Sequence, residues 1–293
     1  MLIGFVMIVI IGVAIAVGIS LDSEKPGDSP PSASDSNPSA PAEIPLTELR
    51  GPQGLAVDSN DNVYITDNGT RLGEETVLKL ANGDTDSATT LPFDSTGPGG
   101  VAVDDAGTVY VLDGVDDRVL KLTSDAANPI ELPFTGLDQP NGLAVDADGN
   151  VYVADTYNNR VLKLTNGASS AIELPFSGLQ RPFGVAVDTG DNVYVTDSYN
   201  DRVLKLANGA PNATELPFGD IGGPNGIAVD SEGAVYITEY GDDRVLKLAA
   251  DAAGPTTLPF NGLEKPWGVA VDSTGSVYVA DYGNKRVMVL STN

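Results

Sequence analysis

The chain has 293 residues, 16 Lys plus Arg against 41 Asp plus Glu, a formal net charge of −25, and neither Cys nor His. That charge repels phosphate backbones and anionic lipid surfaces, which argues against nucleic-acid partners. Without Cys or His there is no disulfide, thiolate nucleophile, imidazole base, zinc ligand or Ser-His-Asp triad, so any catalysis would run on carboxylates, Lys, Tyr or a hard metal.

Residues 1–21, MLIGFVMIVIIGVAIAVGISL, carry no charged side chain and are long enough to span a bilayer. A cleaved signal peptide has a basic start and an apolar core of about 7–15 residues. Here the basic start is missing and the apolar run is longer. The length predicts an uncleaved transmembrane helix or signal anchor, with residues 2–21 in the membrane and the rest of the chain on the extracytoplasmic side. Cleavage near Ala14-Ile15-Ala16, giving a secreted product, is the alternative. A span with no basic cytoplasmic flank also leads us to expect coding sequence upstream of Met1. Residues 22–42, DSEKPGDSPPSASDSNPSAPA, are rich in Pro, Ser and Asp. Such a segment cannot bury enough apolar surface to offset its ordering entropy, and reads as a disordered, extended linker.

From residue 43 onward the chain repeats. Asp104, Asp146, Asp188, Asp230 and Asp272 follow one another at intervals of 42, and Asp58 precedes Asp104 by 46. Each unit runs in the same order: P-x-G-[LVI]-A-V-D, a polar turn, [VI]-Y-[VI], an Asp- and Asn-rich loop, R-V-L-K-L, a variable loop, and E-L-P-F. A fixed period in this range marks a solenoid, propeller or array. In the unit containing Asp146, Gly142 to Asp146 reads as a first strand. Asp148-Gly149 supplies a hairpin turn into Val151 to Asp155. Arg160 to Leu164 forms the third strand, and Ile172-Glu173-Leu174-Pro175 the fourth. Pro175 cannot donate to a ladder, so the fourth strand lies at an edge.

Four short meandering strands per unit describe a β-propeller blade. Six sets of the first three strands are present, but a fourth strand follows only five of them. The missing strand is upstream: Glu43-Ile44-Pro45-Leu46 repeats the pattern Glu131-Leu132-Pro133-Phe134. Residues 43–293 are therefore expected to form an all-β, six-bladed propeller closed by its N-terminal strand, which removes the exposed sheet edges. In the first unit the loop Asn68 to Thr76 is longer than its counterparts and carries Thr76 where the others have Arg.

The pattern P-x-G-[LVI]-A-V-D…V-Y-V-x-D…N-x-R-V resembles the NHL repeat, a propeller-forming motif. The elements R-V-L-K-L and E-L-P-F-x-G-L are similar to those of the extracellular sensor propellers of mycobacterial receptor-type serine/threonine kinases. That resemblance implies a ligand-sensing domain joined to a membrane helix. The kinase itself is not in this sequence, which has no Gly-rich loop after a strand, no Val-Ala-Ile-Lys and no His-Arg-Asp.

Several repeated features invite a chemical role. Asp146-Ala147-Asp148-Gly149-Asn150 begins like a calcium loop, but its twelfth position is Tyr157, not Glu, so hairpin chemistry accounts for it. The pairs Asp113/Arg118, Asp155/Arg160, Asp197/Arg202, Glu239/Arg244 and Asp281/Arg286 recur in every regular unit and read as structural. So do the second-strand tyrosines Tyr64, Tyr110, Tyr152, Tyr194, Tyr236 and Tyr278. No cofactor or metal ligand set is expected.

Specificity belongs where the units differ. The residue between Pro and Gly is Gln53, Gly99, Asn141, Phe183, Asn225 and Trp267 in turn, placed at the mouth of the central channel. The loops after the second strands carry Tyr157, Tyr199, Tyr240 and Tyr282 on the same face. An exposed aromatic rim of this kind resembles a contact patch for a protein, glycan or small-molecule ligand. Packing of these rings on neighbouring loops is the plainer alternative. The expected role is thus a membrane-anchored binding propeller, a sensor or scaffold rather than an enzyme. The rival is a metal-dependent enzyme of the kind found in similar propellers, the gluconolactonase-like hydrolases and streptogramin lyases; the lyases rely on His, which this chain lacks.

Overall fold

The second strand of each unit explains the architecture. In Val151–Asp155, Val151 and Val153 pack with Leu143 and Leu162 against the preceding unit, while Tyr152 and Ala154 pack with Val185 and Val195 of the following one. Both faces of such a sheet are buried, so the strand reads as a continuous apolar run rather than an alternating one.

The computed structural model describes residues 40–46, 49–69 and 73–292. These form six four-stranded antiparallel sheets. The innermost strands are Pro52–Val57, Pro98–Val103, Gly142–Val145, Pro182–Val187, Pro224–Val229 and Pro266–Val271. Six apolar clusters fill the spaces between neighbouring sheets, the last joining Val287 and Ala280 of the sixth sheet to Leu55, Val63 and Leu80 of the first. The core lies between blades, and each blade relies on two neighbours to cover its faces.

Closure is as the repeat count requires. Ala42–Ile44 adds antiparallel to Arg286–Leu290, with Ala42, Glu43 and Ile44 opposite Val289, Met288 and Val287. The register repeats that of the regular units, where Glu173 sits opposite Leu162. The ring therefore begins one residue earlier than expected, at Ala42. The fourth strands are shorter than the sequence suggested. Ile172–Glu173 has two residues, after which the Leu174 amide still donates to Val161 O and the Phe176 amide turns back onto Leu174 O. Pro175 ends the ladder.

Inside the innermost strands, the Gly of each P-x-G lies against the backbone of the next unit. A Cβ at Gly54, Gly142, Gly184, Gly226 or Gly268 would stand 2.3–2.5 Å from the carbonyl oxygen of Gly99, Phe183, Asn225, Trp267 or Gln53 respectively. These glycines are required by close approach, not by an unusual φ.

The candidate calcium loop is a hydrogen-bonded turn. Asp146 Oδ1 accepts the amides of Asp148 (3.1 Å) and Asn150 (2.8 Å). Its Oδ2 accepts Asn150 Nδ2 (2.7 Å) and the Tyr152 hydroxyl (2.8 Å). Burial opposes the charge, but these donors outweigh it and hold the carboxyl below the usual Asp range. The Tyr152 phenol is pushed well above its ordinary value, by burial first and then by this carboxylate. Lys163 Nζ lies 4.9 Å from the Tyr152 ring centroid. Asp, Tyr and Lys thus form a set that recurs in five of the six units, the sixth having Val289 opposite Tyr278, so these tyrosines do more than pack.

Among the described residues no helix is long and apolar enough to cross a membrane. The apolar segment 1–21, and the linker up to residue 39, lie outside the described residues.

Candidate functional site

The P-x-G turns deliver Gln53, Asn141, Phe183, Asn225 and Trp267 to one end of the central channel, where they line a cavity of about 70 Å³ with glycines between them. Their backbones are fixed. Thr238 Oγ1 donates to Trp267 O (2.6 Å) while accepting the Gly226 amide (2.9 Å), and Thr196 Oγ1 does the same for Asn225 O (2.7 Å) and the Gly184 amide (2.7 Å). The Asn141 amide donates to Ala154 O, and its side chain donates to Thr156 Oγ1 (3.1 Å) and Gln139 O (3.1 Å).

Trp267 gathers the aromatic residues. Its ring meets Phe183 edge-on at a centroid distance of 5.8 Å, Tyr240 edge-on at 5.9 Å, and Tyr282 tilted at 5.5 Å. Phe183 belongs to the fourth blade and Trp267 to the sixth, so the contact reaches past Asn225 of the fifth. All four rings are half-buried. Edge-to-face pairs of this kind are worth about 0.5–1.5 kcal/mol beyond the area they cover. The cluster is therefore held in shape before any ligand arrives.

Two details depart from the expectation of an exposed rim. Gln53 and Asn225 are buried and line the channel below the rim. Tyr157 and Tyr199 do not join the Trp267 cluster. They flank Arg181, whose guanidinium carbon lies 3.4 Å from the Tyr157 centroid and 5.6 Å from that of Tyr199. Tyr157 is 43% exposed and Tyr199 66%. Arg181 was not among the sequence-derived candidates. Its signal was available: the residue before each Pro is Gly51, Gly97, Gln139, Arg181, Gly223 and Lys265 in turn, as variable as the residue after it. Lys265 occupies the same position beside Tyr240, its Nζ 6.0 Å from that ring.

The loops that carry these rings are anchored by the repeated carboxylate–arginine pairs. Asp155, fully buried, accepts the Asp138 amide on Oδ1 (2.8 Å), and Asn158 Nδ2 (2.9 Å) and Arg160 Nε (2.7 Å) on Oδ2. Arg160 also donates to Gly136 O (2.9 Å) in the strand-to-strand crossover. The same contact recurs as Asp113–Arg118 (3.2 Å), Asp197–Arg202 (2.8 Å), Glu239–Arg244 and Asp281–Arg286 (2.7 Å). Each pair ties the loop entering a blade to the loop between its second and third strands. In the first blade Thr76 replaces Arg; there Asp67 accepts the amides of Arg50 and Gly51, and Arg50 pairs with Glu74 of the longer loop at 2.6 Å. Among the described residues no group of Asp and Glu is arranged to hold a metal ion.

Six blades about a channel, latched by the first strand onto the last, define a six-bladed β-propeller. Residues 49–70, 137–164, 179–206 and 263–290 match the model of the NHL repeat, so stretches of four of the six blades are similar to that repeat. No curated protein sequence matches it significantly. The fold is similar to a gluconolactonase from Xanthomonas campestris, at TM-score 0.69 and 16% identity over 85% of this chain and 88% of that one. It is similar to a catalytically inactive His-to-Ala variant of virginiamycin B lyase from Staphylococcus aureus with quinupristin, at TM-score 0.63 and 18% identity over 86% and 85%. It is also similar to a chain of the nidogen/laminin complex, at TM-score 0.67 and 21% identity over 79% and 86%. At these identities the likeness is one of fold, shared by enzymes and binding proteins alike.

Proposed function

We propose that the chain is a membrane-anchored, extracytoplasmic binding propeller that recognises a partner through the aromatic rim of its channel mouth. The observation that carries this reading is the Trp267 cluster, which brings Phe183, Tyr240 and Tyr282 from three blades onto one half-buried surface. Trp and Tyr dominate interface hot spots because they cover much area while losing few rotamers. The size of the mouth supports surface recognition over engulfment. Pockets that enclose a small molecule are roughly 300–1,000 Å³, against about 70 Å³ here. The similar chain in the nidogen/laminin complex, a protein–protein assembly, offers a parallel at the level of fold. The apolar segment 1–21 supplies the anchor in this reading, and the Pro- and Ser-rich segment after it the spacer.

The test is a screen of envelope proteins and glycans against the full chain, repeated with Trp267→Ala and Phe183→Ala. Each substitution is expected to weaken capture by tenfold or more, as a hot-spot residue worth about 2 kcal/mol would. A partner that binds both variants as it binds the wild type places recognition on another face. Lactone hydrolysis by the purified chain that is abolished by EDTA would replace this reading with an enzymatic one. Membrane fractionation and N-terminal sequencing of the mature chain test the anchor.

A further inference from the structure

Arg181 stands apart from the other arginines. Arg50, Arg118, Arg160, Arg202, Arg244 and Arg286 each pair with a carboxylate. Among the described residues, Arg181 is the arginine without such a partner, although the chain carries a net charge of −25. Its backbone amide donates to Asn159 Oδ1 (2.8 Å), and its guanidinium carbon stacks over Tyr157. Stacking engages the flat face of a guanidinium and leaves its in-plane N–H donors free to form a fork that fits a carboxylate.

The second-to-third-strand loop of the third blade, Thr156-Tyr157-Asn158-Asn159, also carries no acid. The side chain that accepts the amide of the residue before Pro is Asp117, Asp201 or Asp243 in three units, but Asn159 beside Arg181. The second-to-third-strand loops read Asp116-Asp117, Asn158-Asn159, Asn200-Asp201, Asp242-Asp243 and Asn284-Lys285. The third blade thus presents an uncharged loop next to an uncompensated cation, with two exposed tyrosines as walls.

We propose that Arg181, Tyr157 and Tyr199 form a subsite for the carboxylate of an Asp or Glu side chain in a segment of a partner protein. The proposal rests on the rim being a recognition surface and names what one part of it recognises. The charge distribution selects the source of the carboxylate. A polyuronate would bring many anions against a strongly acidic molecule, and repulsion acts over about 8 Å at physiological salt. A peptide carries one carboxylate among neutral or basic neighbours, and those neighbours meet the acidic loops at Asp116-Asp117 and Asp242-Asp243.

The repeats supply suitable variants. Arg181 has φ 50°, in the left-handed region, and Gln139 and Lys265 hold the equivalent position at 43° and 52°. Arg181→Gln and Arg181→Lys are therefore expected to fold. The experiment pans a random peptide library displayed on phage against the full chain in detergent micelles, then measures selected synthetic peptides by calorimetry. A parallel arm tests oligogalacturonate. Selected peptides are expected to share an Asp or Glu whose replacement by Asn or Gln weakens binding about 10- to 100-fold, the range for a hydrogen-bonded charge. Arg181→Gln is expected to lose the same factor and to be indifferent to that replacement, with Arg181→Lys intermediate. Peptides without a shared acid, equal affinity for Arg181→Gln, no selected peptide, or Arg181-dependent binding of oligogalacturonate alone each overturns the proposal. Peptides lost with Trp267→Ala but not with Arg181→Gln would leave the rim standing and remove only the subsite. The reverse pattern would keep the subsite and remove the Trp267 mouth.

Discussion

Replacing Ile44 with Ala tests the latch that closes the ring. Ile44 lies in the outer strand of the sixth blade yet is only 6% exposed, packed with Leu49, Leu55, Ala280 and Val287 between the last blade and the first. Its counterparts in regular units, Leu132 and Leu174, are half-buried, whereas Ile130 and Ile172, two positions earlier in the outer strands, are 62% and 59% exposed. Truncating a buried Ile to Ala costs about 2–5 kcal/mol, from lost transfer free energy and the cavity left behind. For a domain of this size 1 kcal/mol shifts the midpoint by about 2–4 °C. Ile44→Ala should therefore lower the melting temperature by roughly 4–20 °C. Ile172→Ala, at an exposed site, should change stability by no more than about 0.5 kcal/mol. Differential scanning calorimetry of the full chain reads both. Equal, near-zero shifts for the two variants would mean that Ala42–Ile44 does not hold the ring, and the closure described above would be wrong.

The remaining predictions concern the frame around the mouth. Gly142→Ala would place a Cβ 2.3 Å from Phe183 O and 2.8 Å from Val185 N, both unyielding backbone of the next blade, whereas Gly254→Ala meets nothing within 4 Å. The first should cost about 1–3 kcal/mol in chemical denaturation and the second nothing comparable; equal midpoints would contradict the close packing. Arg160→Ala strips the fully buried Asp155 of its ion partner but leaves it two other donors. It should cost about 3 kcal/mol, the low end for a broken buried pair, and an unchanged urea midpoint would reduce the pair to decoration. Asp146, like Asp58 and Asp188, is held below the ordinary Asp value of 3.8 by hydrogen bonds that prevail over burial. A depressed folded pKa stabilises the fold above the unfolded value and loses that effect as pH falls through the folded one. Asp146→Asn should therefore be less stable than wild type near neutral pH, with the gap narrowing below about pH 4. A gap that stays constant into strong acid would refute the assignment.

The fold was legible because every blade repeats the same solution. The period, the Asp-Gly turns, the edge prolines and the stray Glu43-Ile44-Pro45 pattern together fixed blade number and closure. The site was legible only in part. Sequence variation between units pointed to Trp267 and Phe183, but a linear pattern does not say that residues two blades apart touch across a channel. Nor does it separate a ring that stays at the surface, as Tyr199 does, from an amide that sinks, as Asn225 does. Arg181 was less legible because the position before the proline is Gly in three of the six units and so reads as a turn residue. The hydroxyl-to-carboxylate bond of Tyr152 and Asp146 was hidden for another reason: it joins two strands across a turn, and burial of the tyrosine ring already explains a Tyr at that position.

The glycine of each P-x-G lies against the carbonyl of the next unit, and hydroxyls such as those of Thr196 and Thr238 bridge these backbones, so the spacing of the turns is set without the side chain between Pro and Gly. Like an arch whose stones meet at bare faces, the ring of turns keeps its span whatever ornament hangs from it. Natural variation or engineering can exchange Gln53, Asn141, Phe183, Asn225 and Trp267, and so reshape the lining, without moving the backbone frame that carries them. One rigid frame thus serves as a socket with swappable fittings, and partner choice can drift while the scaffold stays put.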